Sequence, residues 1–377
     1  MQWALVGPLS PYRGGIAHYG ALLARELARE DDVFALNFSL LYPGFLFPGR
    51  TQLDASNSPL DFPSSRRLSS IDPLSWERSA KLIAAHNPDA VLFQWWHPFF
   101  GPSYGWIARR LANLSPKTRR LFLCHNVEPH EESGFDRALS RYGRSPSEGF
   151  LAHSDEDAAR LAELYPASVQ RVHPHPRYSA LGEGAVDRVA ARKQLGVAQD
   201  ERALLFFGLV REYKGLDLAL EALALLDDRH RLYVVGEFYD KRGRYDAIIA
   251  KHNLEGRVTI VDHYIPNEDV PAWFAAVDLI VLPYRDATQS GIVEIAHGAG
   301  RPVLVTDVGG LSAQVDGGKT GLVVPPENPR AIADAILGYF DEGLGENMAQ
   351  AIKEAGDKKS WEGLANTLRK LALEARS

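Results

Sequence analysis

The sequence predicts an α/β protein made of two doubly wound domains, each a parallel sheet with helices on both faces. Three observations carry that expectation. The chain has 377 residues, which suggests about two domains of ordinary size. Short apolar, β-rich runs alternate with longer segments of helical period, the pattern of parallel strands joined by crossover helices. The alternation also restarts near residue 203, after a segment mixing proline, glycine and polar residues.

In the first half the strand runs are WALVG (3–7), VFALNF (33–38), AVLFQW (90–95), RLFLCHN (120–126) and FLAHS (150–154). Helical stretches lie between them, such as GIAHYGALLARELARE (15–30), which sets Ile16, Tyr19, Leu22, Leu23 and Leu27 largely on one side, and SWERSAKLIAAHN (75–87). The stretch 41–67 has no clear period and reads as a loop insertion. In the second half the runs are ALLFFG (203–208), RLYVVG (231–236), VTIVDHY (258–264), LIVLPY (279–284), PVLVTD (302–307) and GLVVPP (321–326). Residues 173–197 read as a linker followed by a helix. The expected division is 1–178 together with a returning C-terminal helix at 358–377, and 179–357.

Hydrophobic residues at 45% and charged residues at 24% are ordinary for a folded globular protein. A net charge of −6, with the deficit in the second half, argues against a nucleic-acid partner. The single cysteine, Cys124, excludes an internal disulfide framework. Without a signal-peptide pattern or a long apolar run, the expected location is the cytoplasm.

In open α/β sheets, ligands bind beyond the carboxyl ends of the strands, and two such domains make a cleft between them the natural site. Four stretches occupy strand ends. In PYRGGIAHYG (11–20), Gly14 and Gly15 would let backbone amides approach a ligand at a helix start, or simply make a tight turn. In CHNVEPHEE (124–132), His125 ends a strand and is either structural or directed at the cleft. His130 and Glu131 beside it make a poor metal-ligand set. In FFGLVREYKGLDLALEAL (206–223), Gly208 leads to Arg211 and Lys214, two cations suited to a diphosphate unless they are merely solvated.

The fourth stretch is YRDATQSGIVEIAHGAG (284–300). Ser290 is a candidate N-cap, leaving the amides near Gly291, Ile292 and Val293 free to meet a phosphate. Glu294 could accept hydrogen bonds from vicinal hydroxyls such as a ribose presents. As a capping-box acid it would want a hydroxyl residue three positions earlier, and position 291 is glycine. Asp286 has the alternative of being an ordinary turn residue. Cations, amides and glycines for a diphosphate, with carboxylates for hydroxyls, together suit a nucleotide-sugar.

The pair of glycines after the first strand, the mid-domain strand-end histidine, GLVREYKG, and D-x7-E followed by GRPVLVTDVGGLSAQVDGGKTGLVVPP resemble the family 4 retaining glycosyltransferases. The similarity is most specific from 203 to 335, and KKSWEGLANTL (358–368) fits the helix with which such enzymes return to their first domain. The resemblance implies a GT-B fold: two Rossmann-like domains facing a cleft, the first binding the acceptor and the second the nucleotide-sugar. It implies that Arg211, Lys214 and the amides after Ser290 hold the donor diphosphate and that Glu294 binds the ribose. Asp286 would contact the donor sugar's hydroxyls, His125 would sit by the transferred sugar, and Gly14 and Gly15 would face the diphosphate or the acceptor.

Two positions depart from the family pattern. Asp286 stands where the family has Glu, and Leu209 stands where an arginine usually follows Gly208, with Arg211 as its substitute. The resemblance implies a front-face transfer with no metal and no cofactor. The expected partners are a UDP- or GDP-sugar and a glycan, lipid-linked or small-molecule acceptor. Competing readings are a glycoside hydrolase using Asp286 and Glu294, a sugar-nucleotide epimerase of the same fold, and a non-catalytic nucleotide-sugar-binding subunit. Aromatic clusters at 41–49 and 94–106, and the basic residues Arg109, Arg110, Lys117, Arg119 and Arg120, are either packing and solvated surface or contacts for an acceptor or the inner face of a membrane.

Overall fold

A computed structural model of the chain describes residues 1–47, 49–127, 134–178 and 186–375; His130 and Glu131 therefore lie outside the described residues. The chain divides into two compact units, one formed by Met1–Ala55, Pro59–Pro176 and Lys358–Ser377, the other by Ser56–Ser58 and Arg177–Asp357.

The first unit carries a seven-stranded parallel sheet. Its strands are β1 (Gln2–Val6), β2 (Asp32–Leu40), β3 (Ser65–Ser69), β4 (Ala90–Trp95), β5 (Arg119–Cys124), β6 (Gly149–Ala152) and β7 (Val169–Val172), in the spatial order β3-β2-β1-β4-β5-β6-β7. The central strands are shut off from water along their length, β4 at all six residues, which is why they read as unbroken apolar runs. Two strands escape the sequence reading, and both are sheet edges. β3 is SRRLS and begins inside the stretch expected to be a loop, ending two residues beyond it, while β7 is VQRV, with no fully buried residue. An edge strand has neighbours on one side only and needs less apolar surface.

Helices α1 (Gly15–Leu27), α2 (Pro73–Ala85), α3 (Gly101–Leu114), α4 (Gly134–Arg144) and α5 (Asp155–Leu164) connect these strands. The core gathers around Phe93, Trp95, Tyr104 and Phe122. The C-terminal helix of the chain (Trp361–Glu374) belongs to this first unit, as the resemblance implies. It starts on Ser360, whose Oγ accepts from the Gly363 amide at 3.0 Å, and it packs on α1. Trp361 meets the Tyr19 ring edge-on at 5.0 Å, and Arg369 Nε donates to Asp31 at 2.8 Å.

The second unit carries a six-stranded parallel sheet in the order β10-β9-β8-β11-β12-β13. The strands are β8 (Arg202–Phe207), β9 (His230–Val235), β10 (Val258–Val261), β11 (Leu279–Leu282), β12 (Val303–Thr306) and β13 (Gly321–Val324). All six coincide with apolar runs of the sequence. Its helices are α6 (Arg188–Leu195), α7 (Leu216–Leu223), α8 (Gly243–Lys251), α9 (Val270–Ala276), α10 (Gly291–Gly298), α11 (Leu311–Gln314), α12 (Pro329–Asp341) and α13 (Leu344–Glu354); the C-terminal helix is hereafter α14. Arg192 of α6 is fully buried and ties the helix to Asp278 at the foot of β11 and to four backbone carbonyls.

Strand order reverses between β8 and β11, and between β1 and β4 in the first unit. These are the topological switch points at which doubly wound sheets open a crevice for ligands. The loops 208–215 and 283–290 flank the first of them, and the loop carrying Gly14 flanks the second.

Candidate functional site

The second unit brings two of the predicted stretches, 206–223 and 284–300, together at its switch point. β8 ends at Phe207, and Gly208 turns the chain at φ 98°, a conformation that other residues rarely adopt. A side chain there would also meet the Lys214 ammonium and the Ile292 side chain, each 3.5 Å from the Cβ position. Lys214 and the first turn of α10 therefore converge over the bare backbone of Gly208. The loop closes at Gly215, φ 68°, where a Cβ would lie 2.1 Å from the Pro283 carbonyl. That close approach seats the cationic loop against the segment leaving β11.

Arg211 is exposed, with its guanidinium 4.9 Å from the Tyr239 ring centroid, and Lys214 is half-buried, 5.5 Å from that of Tyr284. Among the described residues neither cation has an ion-pair partner. Burial, and then the charge of Arg211, lower the Lys214 ammonium from its ordinary 10.5 to about 8. The charged form is thus complete well below pH 8 and is lost as pH rises through it. An anionic diphosphate stabilises that form, so nucleotide binding should take up a proton near pH 8.5. Calorimetry in buffers of differing ionisation enthalpy reads this directly, and binding with no proton exchange would sink the assignment.

Ser290 caps α10 as expected, its Oγ accepting from the Ile292 amide at 3.3 Å. The Val293 amide is also engaged, by the Ser290 carbonyl at 3.2 Å. Of the three amides expected to be free, Ile292 and Val293 are corrected by this local capping. Gly291 is the one without a recorded acceptor among the described residues.

Glu294 is fully buried. Its Oε1 accepts from Gln314 Nε2 at 3.0 Å, while Gln314 Oε1 accepts from the Ser290 amide at 2.7 Å and its Nε2 also donates to the Ser290 carbonyl at 3.2 Å. Gln314 thus takes the place that a capping-box acid would fill. Tyr178, also buried, lies 3.6 Å from the Cβ position of Gly291, and burial followed by the Glu294 charge raises its phenol.

Asp286 occupies a different setting, half-buried near the loop carrying Arg211 and Lys214. Burial raises the Tyr213 phenol, Arg211 lowers it and Asp286 raises it again. The preceding residue, Arg285, grips Asp217 of α7 through both Nη atoms, at 2.9 and 2.7 Å. Gln314 and Arg285, which hold Ser290, Glu294 and Asp217 in place, do not stand out in the sequence. Gln314 is an uncharged residue in a glycine-rich stretch, and Arg285 reads as a loop cation beside a more conspicuous acid.

In the first unit, Gly14 (φ 101°) caps α1 and Gly15 begins it, with nothing within 4 Å of either Cβ position. His125 follows β5 directly, its amide continuing the sheet to the Trp95 carbonyl at 2.8 Å. Its ring lies 4.6 Å from Tyr19 and 5.8 Å from His153. Burial first, then His153 and His175, hold His125 well below 6.5, a neutral imidazole at physiological pH. Each of β5, β6 and β7 is followed at once by a histidine, His125, His153 and His173, and only the first stood out in the sequence. His153 is lowered to about 3 and His175 to about 4, chiefly by burial. Among the described residues no group of three His, Cys, Asp or Glu could hold a metal ion.

The basic residues at 109–120 are mostly spoken for. Arg110 pairs with Glu77, Arg119 and Arg120 with Glu148, and Arg109 with Ser145 and the Tyr142 ring. Among the described residues, no helix is long and apolar enough to cross a membrane.

Two doubly wound parallel sheets, each with a topological switch point, are the architecture of the GT-B fold. Over 100% of this chain and 99% of the other, the structure is similar to sucrose-phosphate synthase from Thermosynechococcus elongatus, with TM-score 0.77 at 21% identity. It is similar also to Anabaena HepE in complex with UDP-glucose, with TM-score 0.77 at 16% identity over the whole of both chains. Residues 201–342 match the family model described as "Glycosyl transferases group 1". The D-inositol 3-phosphate glycosyltransferase of Kribbella flavida is 30% identical over 231 residues, 58% of this chain and 54% of that protein; its counterpart in Streptomyces coelicolor is 29% identical over 252 residues, 62% and 54%. The chain spans about half the length of these curated relatives. The chain has the GT-B fold, and its residues 201–342 are similar to the group 1 glycosyltransferases.

Proposed function

We propose that the protein is a retaining glycosyltransferase that moves a sugar from a UDP- or GDP-sugar to a hydroxyl of a glycan, glycolipid or small-molecule acceptor. The observation that carries this reading is Lys214, set over the bare backbone of Gly208 beside the first turn of α10, with Arg211 in the same loop and neither cation in an ion pair among the described residues. As the bond from sugar to phosphate stretches, positive charge grows on the sugar and negative charge on the departing diphosphate. Lys214 and Arg211, with the Gly291 amide, are placed to stabilise the latter, a preorganised electrostatic arrangement. The departing phosphate oxygen takes the proton of the acceptor hydroxyl on the same face, so the anomeric configuration is retained and no protein base is required.

Asp286 is assigned to the donor sugar's hydroxyls, Glu294 to the ribose, His125 as a neutral imidazole to the transferred sugar, and Gly14 and Gly15 to the diphosphate or acceptor. The second unit binds the donor and the first the acceptor. Tyr42, stacked between Phe99 at 5.5 Å and Phe47 at 6.3 Å, supports an acceptor with a sugar ring or apolar chain. Phe45, 86% exposed, and Leu46, 49% exposed, support a lipid-linked acceptor met at a membrane surface.

The test is incubation with labelled UDP- and GDP-sugars and an acceptor panel that includes inositol 3-phosphate, with and without EDTA. Product of retained configuration, formed equally in EDTA, is expected. Binding without turnover would favour a nucleotide-sugar-binding subunit, and interconversion of free nucleotide-sugars an epimerase. Strict dependence on a divalent metal would overturn the metal-free mechanism.

A further inference from the structure

The cationic loop contains its own antidote. Within REYKGLD (211–217) two cations, Arg211 and Lys214, are matched by two acids, Glu212 and Asp217. A loop of zero net charge is a poor diphosphate site, and Asp217 follows Lys214 by three residues, close enough for an ion pair. The structure shows where the acids go instead. Arg285 takes both oxygens of Asp217, at 2.9 and 2.7 Å, while donating from Nη1 to the Glu212 carbonyl at 2.9 Å and from its amide to the Tyr213 carbonyl at 2.6 Å. Arg244 of α8 approaches the Glu212 carboxylate at 3.2 Å and that of Asp217 at 3.8 Å. A further acid, Glu327, meets Arg285 Nε at 2.6 Å and is 58% exposed, so water and salt screen it.

We propose that Arg285, assisted by Arg244, is a positioning residue for donor binding: it withdraws Asp217 from the loop cations and leaves Arg211 and Lys214 their full charge for the diphosphate. This rests on the donor-site reading above. The geometry is specific to a planar, two-pronged cation. A guanidinium satisfies both carboxylate oxygens at once, leaving Asp217 no strong acceptor site for Lys214, which a single ammonium at position 285 would not achieve. The same residue stitches the loop after β8 to the loop carrying Asp286, so charge control and loop placement share one side chain.

The test is a double-mutant cycle read as dissociation constants for UDP, GDP and inorganic diphosphate. Arg285→Met, which releases Asp217 toward Lys214, is expected to weaken all three ligands about tenfold. Asp217→Asn alone should bind within about twofold of wild type, and the double variant Arg285→Met with Asp217→Asn should recover most of the loss. A residue that merely braced the loop would give a double variant no better than Arg285→Met; that result, or an Arg285→Met variant binding like wild type, overturns the proposal. The Asp217→Asn background, which leaves no acid to release, keeps the comparison valid if Arg285→Met alone is unstable. Failure of the wild type to bind any of the three ligands would instead overturn the donor-site reading, and this one with it.

Discussion

Lys214→Ala is expected to lower kcat/KM for the nucleotide-sugar by roughly 10²–10³-fold, the range seen when one preorganised donor to a developing anion is removed. The ammonium stands over Gly208 beside Ile292, where a diphosphate would meet it, and its charge is not duplicated there: Arg211 makes its own contribution from beside Tyr239, and Arg285 is committed to Asp217. The loss should appear in nucleotide affinity as well as in turnover, since the same charge meets the ground-state diphosphate. Thermal stability should not fall, because burial already disfavours this ammonium. Steady-state kinetics with calorimetric binding of UDP and GDP would check it, and a variant within twofold of wild type would remove Lys214 from the site.

The largest effect on stability is expected from Arg192→Met. Its guanidinium is fully buried and donates to the carbonyls of Ala276, Ala198, Gln199 and Glu201 and to Asp278 Oδ2, at 2.8 to 3.2 Å. Methionine fills much of the volume but leaves four carbonyls to find other donors. Asp278 keeps Arg188 and the Ala203 amide, so the carboxylate is not stranded. A cost of about 3–5 kcal/mol follows for breaking a buried charge network from one side. Calorimetry should show the second unit melting earlier while the first is unchanged. A loss below about 1 kcal/mol would mean that water serves the carbonyls instead.

How much was legible depended on how thoroughly an element is buried. The four inner strands of the second sheet stand out as apolar runs, since a parallel strand covered on both faces has little use for polar side chains, and its edge strands β10 and β13 are legible because they too are apolar in sequence. β3 and β7, at the edges, carry SRRLS and VQRV and leave no such trace. The site divides along another line. Charged residues and glycines at strand ends were visible because charge and backbone freedom are conspicuous: Arg211, Lys214, Gly208, Asp286 and Glu294. The residues that place them were not. Gln314 reaches Ser290 and Glu294 from 24 and 20 positions away, and Arg285 reaches Asp217 from 68, so their partners are set by the fold and not by any local spacing.

The helix Trp361–Glu374 gives the molecule an order of completion. Asp31 acquires its Arg369 partner, and Tyr19 its Trp361 neighbour, only after the whole second unit has left the ribosome. Until then the growing chain must carry the first sheet with that face of α1 uncovered, while the second unit, nearly continuous in sequence, is free to fold first. A fragment cut after residue 176 would keep every strand of its sheet and still expose that face, so shortened versions of the first unit should aggregate unless the returning helix is spliced back on.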